Sequence, residues 1–383
     1  MSSQCQPLTS QCSVIGQLLD DFTVPDIVKK VKYSTLAPVL LCSAVLFCLS
    51  CYSKAPVVED KGEEKDSEFI DEAELPVDLP PVGAELPVSA FGEIWAYVVA
   101  GREAALQAGL PLSDIGYFGA EIDTFGALVS VPSRRNLRNF PGRVHMVVQC
   151  SGRALTHFVL LPGSAERKAL VASLLNAARD FDGLQIDFEN IHQRDAGAFL
   201  SFLAELRVGL GNKMFTIALP ARIRKINNDQ FDYEKIRPLV DRILVMAYDE
   251  HWSTSRPGPV ASLYWCRRVA DYSLSVIGAE KLIMGLPFYG RAWGLPDPSR
   301  ALVYSGVETL ISDHRITEIN RENGIPTFNY EIPVSVRVYF DDDYSLSVRM
   351  EMYKSIGVTA IGFWRLGQET EKVWKLLELK REE

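Results

Sequence analysis

Asp182-Gly183-Leu184-Gln185-Ile186-Asp187-Phe188-Glu189 decides how this chain is read. In a β-strand the side chains alternate between two faces. Gln185, Asp187 and Glu189 then share one face, and Ile186 and Phe188 share the other. A buried strand tolerates few charges, and two carboxylates two residues apart on one face repel each other. That repulsion raises at least one pKa, which makes a carboxyl group a usable acid near neutral pH. The plainer alternative is an exposed strand with a solvated acidic face. Against it stand the aromatic and β-branched opposite face and the absence of Lys and Arg from 181–191.

The surrounding chain repeats a strand-then-helix rhythm. Strands are expected at 94–100, 115–118, 144–149, 183–189, 214–219, 242–248, 282–287 and 360–364. Helix-length segments fall between most of them, at 165–179, 196–210, 260–277 and 344–356. In the first of these, Leu170, Leu174, Leu175 and Ala178 recur at helical spacing. Eight such units in one domain predict the α/β class, as a (β/α)8 TIM barrel. The segment 294–340 breaks the rhythm, with alternating stretches at 327–332 and 334–340. It reads as a small β-rich insertion between strands seven and eight. Active sites of such barrels lie at the C-terminal strand ends. Glu189 ends strand four, Tyr248 and Asp249 end strand six, and Trp364 ends strand eight.

Composition bounds the function. The chain has 383 residues, 47% of them apolar, and a formal net charge of -9. Most of the acidic excess lies between Lys54 and Glu85. The remainder is near neutral, which argues against a nucleic-acid partner. Five histidines are scattered without ligand spacing and there is no Cys-x-x-Cys pair, so neither a metal nor another cofactor is expected.

The N-terminal part reads as an address and a tether. Lys29, Lys30 and Lys32 precede an apolar run at 33–50, a basic flank and hydrophobic segment of signal-peptide type. The run ends in Leu49-Ser50-Cys51, which resembles the end of a bacterial lipobox. That makes residues 1–51 a leader and Cys51 the lipidation site. An uncleaved anchor and a cleaved secretory signal are the alternatives. Residues 52–90 are acidic and contain Pro56, Pro76, Pro80, Pro81 and Pro87, the composition of a solvated spacer. The domain proper is expected at 91–383. The predicted product is a monomeric, extracytoplasmic, membrane-anchored lipoprotein in which Cys150 and Cys266 are buried free thiols.

The opening stretch resembles the signature of the family 18 glycoside hydrolases, the chitinase-type enzymes, with Gln185 where their pattern has Asp. Met246-Ala247-Tyr248-Asp249, Gly285-Leu286-Pro287-Phe288-Tyr289-Gly290-Arg291 and Gly362-Phe363-Trp364 resemble the family's motifs for strands six, seven and eight, in the right order. The run Tyr248-Asp249-Glu250-His251-Trp252, followed by Pro257 to Leu263, is similar to the bacterial spore-cortex-lytic branch, where the Gln185 position is commonly Asn. The resemblance implies cleavage at N-acetylglucosamine in peptidoglycan or a chitin-like oligosaccharide. It implies Glu189 as general acid, Asp187 holding the substrate's acetamido group, Tyr248 orienting that group's oxygen and Asp182 supporting the electrostatics. It also implies that Trp364 floors the sugar, with Gln185, Asp249, Arg291 and Trp252 around the substrate.

Each role has a plainer rival. Trp364 can be core, and Tyr248 with Asp249 a bonded strand terminus. Arg291 can bind substrate or pair with an acid. His251 and Trp252 can line the cleft or pack a loop. Asp341-Asp342-Asp343 suggests a calcium site but reads better as the solvated first turn of a helix, where acids suit the dipole. A chitinase, an N-glycan endoglycosidase and a non-catalytic carbohydrate-binding lipoprotein are the competing functions. Such binders have lost the acid that this chain keeps as Glu189.

Overall fold

The computed structural model describes residues 79–294, 300–332 and 334–380. The leader, Cys51 and most of the spacer lie outside the described residues. Eight parallel strands run Glu93–Val99, Asp114–Ile122, Arg143–Gln149, Gly183–Asp187, Met214–Pro220, Arg242–Met246, Leu282–Pro287 and Ala360–Trp364. Each pairs with the next, and the eighth pairs back onto the first, from Ala360 opposite Glu93 to Phe363 opposite Ala96. The ring is closed, as the sequence rhythm predicts, and closure leaves these strands no free edge. Strands four and six stop two residues earlier than expected, so Glu189 and Tyr248 stand on the loops just past the rim.

The outer helices follow the sequence in most places. Ala165–Ala177 is capped by Ser164, whose hydroxyl accepts from the Arg167 amide, and Leu263–Ile277 is capped in the same way by Ser262. Ala196–Leu210 has the expected bounds. The first two crossovers depart from the regular pattern. Their helical content is limited to the short turns Glu103–Ala105 and Arg134–Leu137, and that of the fifth to the α turn Tyr233–Ile236 continued by Arg237–Leu239. Gly101 and Gly109, both at positive φ, punctuate the first crossover and leave no room for a helix.

The insertion is larger than expected. It begins at Tyr289, one residue after strand seven, with Tyr289–Gly294. That strand lies between Arg300–Val303 and Val334–Tyr339 in a five-stranded sheet completed by Ile325–Ile332 and Asn320–Glu322. The unforeseen helix Tyr304–Asp313 packs Val307 and Leu310 against Phe328, Val338 and Phe340.

The Asp341-Asp342-Asp343 run is only partly a solvated turn. Asp342 caps Asp343–Ser355 in a reciprocal box with Ser345. Asp341 is instead buried against the fully buried Arg349. Burial pushes its carboxyl up to about 6, with Arg349 opposing. Among the described residues no group of His, Cys, Asp or Glu is arranged to hold a metal. None of their helices is long and apolar enough to cross a membrane. Cys150 and Cys266 are buried and free. Residues 79–90, placed in the spacer by composition, pack on this domain. Ser89–Phe91 pairs in parallel with Leu377–Leu379, and the Tyr344 hydroxyl donates to the Pro80 carbonyl at 2.7 Å.

Inside the ring, alternate residues fill the space. Trp95, Tyr97, Val147, Ala218, Leu244 and Ile283 pack together. Large rings fit because facing positions are glycine. A Cβ on Gly116 would sit 2.5 Å from Tyr97 Cε1, and one on Gly183 would sit 2.4 Å from His145 Nδ1 and 2.7 Å from the Met214 carbonyl. The glycine of the decisive stretch is thus a packing residue. At the N-terminal end, Arg143 binds Asp114 (Nε–Oδ1 2.6 Å) and Glu93, Arg242 binds Glu93, and His145 Nε2 lies 2.7 Å from Asp114. Although burial acts against it, these partners hold the Asp114 carboxyl below its ordinary range.

Gly183→Ala drives a methyl group into fixed backbone and a buried imidazole. The expected cost is about 1–3 kcal/mol, read as a lower urea midpoint with an unchanged slope. An unshifted midpoint would show that the interior has slack at this position.

Candidate active site

The pleat of strand four aims Gln185 and Asp187 into the barrel. Gln185 is fully buried. Its Oε1 accepts from the Tyr97 hydroxyl at 2.5 Å, and its Nε2 donates to Thr216 Oγ1, its register partner on strand five, at 3.1 Å. Both ends of the amide are therefore fixed. Asp187 lies one pleat higher, 7% exposed, and its Oδ1 is buried without a hydrogen-bond partner. Burial, then the charge of Glu189, holds the Asp187 carboxyl well above its ordinary range.

Glu189 opens onto the cleft from the loop. Its pKa is also raised, by the protein that crowds it at the mouth and then by Asp249. Tyr248 stands beside both acids. Burial and the neighbouring Tyr97, Tyr289, Asp187 and Glu189 keep its hydroxyl protonated. Its ring meets Tyr289 edge-on at 6.1 Å. Gly285 makes room for it, since a Cβ there would lie 3.0 Å from Tyr248 Cε1.

Asp249 and Arg291 answer the choice the sequence left open by pairing with each other. Asp249 Oδ1 accepts from Arg291 Nη2 at 2.7 Å, Arg291 Nε at 3.1 Å and the Tyr289 hydroxyl at 2.7 Å. Asp249 takes a positive φ to do so. Trp364 is half-buried at the end of strand eight, against Tyr97 (5.2 Å between centroids) and Phe118 (5.0 Å). Packing from beneath leaves the rest of the ring at the rim. Trp252 is 51% exposed on the loop after strand six, its Nε1 donating to Thr254. His251 packs that loop, with Nδ1 2.9 Å from the Pro259 carbonyl.

Asp182 does not join this group, which corrects its expected catalytic placement. It precedes strand four at the N-terminal rim, about 16 Å of extended chain from Asp187. Its half-exposed carboxylate accepts from the Val144 amide at 2.8 Å and pairs loosely with Arg134. It anchors the start of the strand.

Three contributors were missed. Tyr97 locks Gln185, Tyr289 holds Asp249, and the half-buried Glu250 accepts from the Ser262 amide at 2.7 Å, stapling the 249–262 loop. Burial raises the Glu250 pKa despite that bond. Tyr97 was legible in principle, since it alternates with Trp95 on the inward face of strand one.

An eight-stranded parallel barrel with two repelling carboxylates, a protonated tyrosine and an aromatic floor at its C-terminal rim has the layout of a glycosidase. The chain matches the glycosyl hydrolases family 18 over residues 136–369, more than half its length, and it belongs to that family. The Cortical fragment-lytic enzyme of Bacillus subtilis (strain 168) is 26% identical over 300 residues, covering 72% of this chain and 69% of that protein. The Putative sporulation-specific glycosylase YdhD of the same organism is 30% identical over 207 residues, covering 50% of this chain and 48% of that protein. The chain thus spans about half of YdhD. The spore cortex-lytic enzyme SleL of Bacillus cereus shares the fold with a TM-score of 0.67 at 21% identity, over 76% of this chain and 74% of that one.

The raised pKa of Asp187 has a consequence for stability. The folded state keeps the proton to higher pH than the unfolded chain, whose Asp titrates at about 3.9. Stability therefore falls as pH rises from about 4 through the raised value. Asp187→Asn removes that slope. In thermal scans the variant is expected to melt with the wild type near pH 4 and above it near pH 8. An offset of the same size at every pH would contradict the assignment.

Proposed function

We propose that this chain hydrolyses β-1,4 bonds at N-acetylglucosamine, in peptidoglycan, with retention and with help from the substrate's own acetamido group. The observation that carries the reading is the pair Asp187 and Glu189, both with raised pKa, beside a protonated Tyr248. Glu189 protonates the leaving glycosidic oxygen. The acetamido oxygen attacks C1, as substrate-assisted glycosidases do. Asp187, with one oxygen unpartnered, accepts the acetamido N–H, and the developing oxazolinium charge favours its ionised form, which then balances that charge. Tyr248 donates its hydroxyl to the acetamido oxygen. The deprotonated Glu189 then takes a proton from the water that opens the ring at C1.

The cortex-lytic names of the relatives above support peptidoglycan, and chitinases among the other similar proteins keep chitin as the second reading. In the same reading the chain is a monomeric lipoprotein anchored through Cys51, with the acidic segment as a tether that lets the barrel reach the wall.

Glu189→Gln is expected to lower kcat by about 10²–10⁴ on purified peptidoglycan, while binding is kept. The wild type should release products with N-acetylglucosamine at the new reducing end. Wild type and variant equally inert on peptidoglycan and chitin oligosaccharides would mean a binding protein.

The pH profile gives an independent check. Loss of the Glu189 proton sets the alkaline limb of kcat/KM, above the ordinary value of about 4.3 for free Glu. Asp249→Asn removes an anion and releases the charge of Arg291. Both effects lower the Glu189 pKa, so the limb is expected to move to lower pH. A limb that stays or moves up would remove Asp249 from the electrostatics of the acid.

A further inference from the structure

Arg349 reaches out of its own helix to the loop that carries Asp249. It is fully buried on Asp343–Ser355, the helix that follows the insertion. Each nitrogen of its guanidinium has its own acceptor. Nη2 donates to Asp341 Oδ1, Nε to the Ser345 carbonyl at 3.3 Å, and Nη1 to the Ala261 carbonyl at 3.0 Å. The first two acceptors are local. Ala261 is 88 residues away in sequence, at the far end of the loop after strand six. Asp341 is itself fixed, since its Oδ1 also accepts from Ser345 Oγ at 2.7 Å. Arg349 faces Cys266 and Tyr353 as well, and Cys266 Sγ lies 3.6 Å from the Ala247 carbonyl.

The loop joins the active site at its other end. Tyr248 and Asp249 open it, and Asp249 raises the Glu189 pKa. Asp249 has a φ of 58°, in the left-handed region, where a residue with a side chain persists when its surroundings hold it. Tyr289 and Arg291 hold its carboxylate. Two further bonds cross the loop. The Glu250 amide donates to the Val260 carbonyl at 2.9 Å, and the Glu250 carboxylate takes the Ser262 amide. They tie residue 250 to the residues on either side of Ala261. Whatever fixes Ala261 therefore fixes Glu250, and with it the backbone of Asp249.

We infer that Arg349 is a positioning residue for the acid: by holding the Ala261 carbonyl it fixes the cross-tied loop and keeps Asp249 beside Glu189. The inference rests on Glu189 acting as the acid. The insertion then grips the loop at both ends, through Arg291 on its first strand and through Asp341, just after its last, acting on Arg349. A guanidinium suits this task because it serves three acceptors from three nitrogens. An ammonium has one nitrogen and cannot span all three.

The test uses the full chain. Arg349→Met removes all three bonds. Arg349→Lys keeps the cation beside Asp341 and loses the bond to Ala261. Arg207→Met is the control, because Arg207 likewise joins an aspartate, Asp241, to the Gly211 and Lys213 carbonyls, but at the N-terminal end of the barrel. Hydrogen exchange of the Glu250 and Ser262 amides is expected to quicken about 10- to 100-fold in both Arg349 variants and not in the control. The alkaline limb of kcat/KM is expected to move to lower pH in Arg349→Met, and by less in Arg349→Lys, as Asp249 leaves Glu189. In an Asp249→Asn background Arg349→Met should move the limb no further. Loss of the Arg349 cation acting directly would move it upward, so the sign separates positioning from charge. A limb that stays, rises, or shifts equally in both backgrounds overturns the inference, as does unchanged exchange in Arg349→Lys. Should Arg349→Met fail to fold, the Lys variant carries both readouts. A wild type that cleaves no glycan would overturn the glycosidase reading, and the exchange measurement would still decide whether Arg349 holds the loop.

Discussion

A closed ring of eight strands has an interior only wide enough for its own side chains, and every inward position answers to that limit. Large rings enter from strands one, three and eight. Those of Tyr97 and His145 fit because glycines at 116 and 183 give up their side chains opposite them. The stacking of Trp95 on His145 at 4.4 Å depends on this allocation. Polar groups are admitted in two layers with opposite treatment. At the N-terminal end, Glu93 and Asp114 are each met by arginine, and Asp114 also by His145. At the other end, neither Asp187 nor Glu189 forms an ion pair with the described residues. The first arrangement stabilises the fold. The second stores unfavourable charge where a substrate can relieve it.

The insertion takes part in that second arrangement. Its first strand supplies Tyr289 and Arg291, and both fix Asp249 through a single oxygen. Asp249 in turn raises the Glu189 pKa. A segment that looks like a peripheral wall therefore helps to set the protonation of the central acid. Its attachment one residue after strand seven gives a physical reason: Tyr289 and Arg291 leave the barrel rim before the chain can diverge from it.

Much of this was legible in the sequence because it rests on local pattern. Strand positions follow from short apolar runs set between helix-length segments, and the inward placement of Gln185 and Asp187 follows from the period of two. The errors have a common origin in non-local contacts. Tyr289–Gly294 becomes a strand by pairing with Val334–Tyr339, some forty residues on, so its own sequence gave little sign of where the insertion starts. Strands four and six ended early because the ladder stops where neighbouring strands stop, which composition does not encode. Asp341 looked solvated because its partner Arg349 lies eight residues, about two helical turns, further along. Asp182 was the reverse case: the alternation already set it on the face opposite Asp187, and only the motif resemblance moved it into the site.

Gln185 stands where the two interior layers meet, and its neutrality matters there. Residues two apart in a strand are separated by about 6.6 Å. Two unit charges at that distance interact by about 2.5 kcal/mol at an effective dielectric of 20, nearly two pKa units. A carboxylate at 185 would add that repulsion to an Asp187 already raised by burial and by Glu189. The amide avoids it. Tyr97 donates to its oxygen and its nitrogen donates to Thr216, so Gln185 has no proton to exchange with the acid above it. In a typical chitinase the column of acids continues one step deeper. Here it ends at Asp187, whose carboxyl is raised by burial and by Glu189 alone.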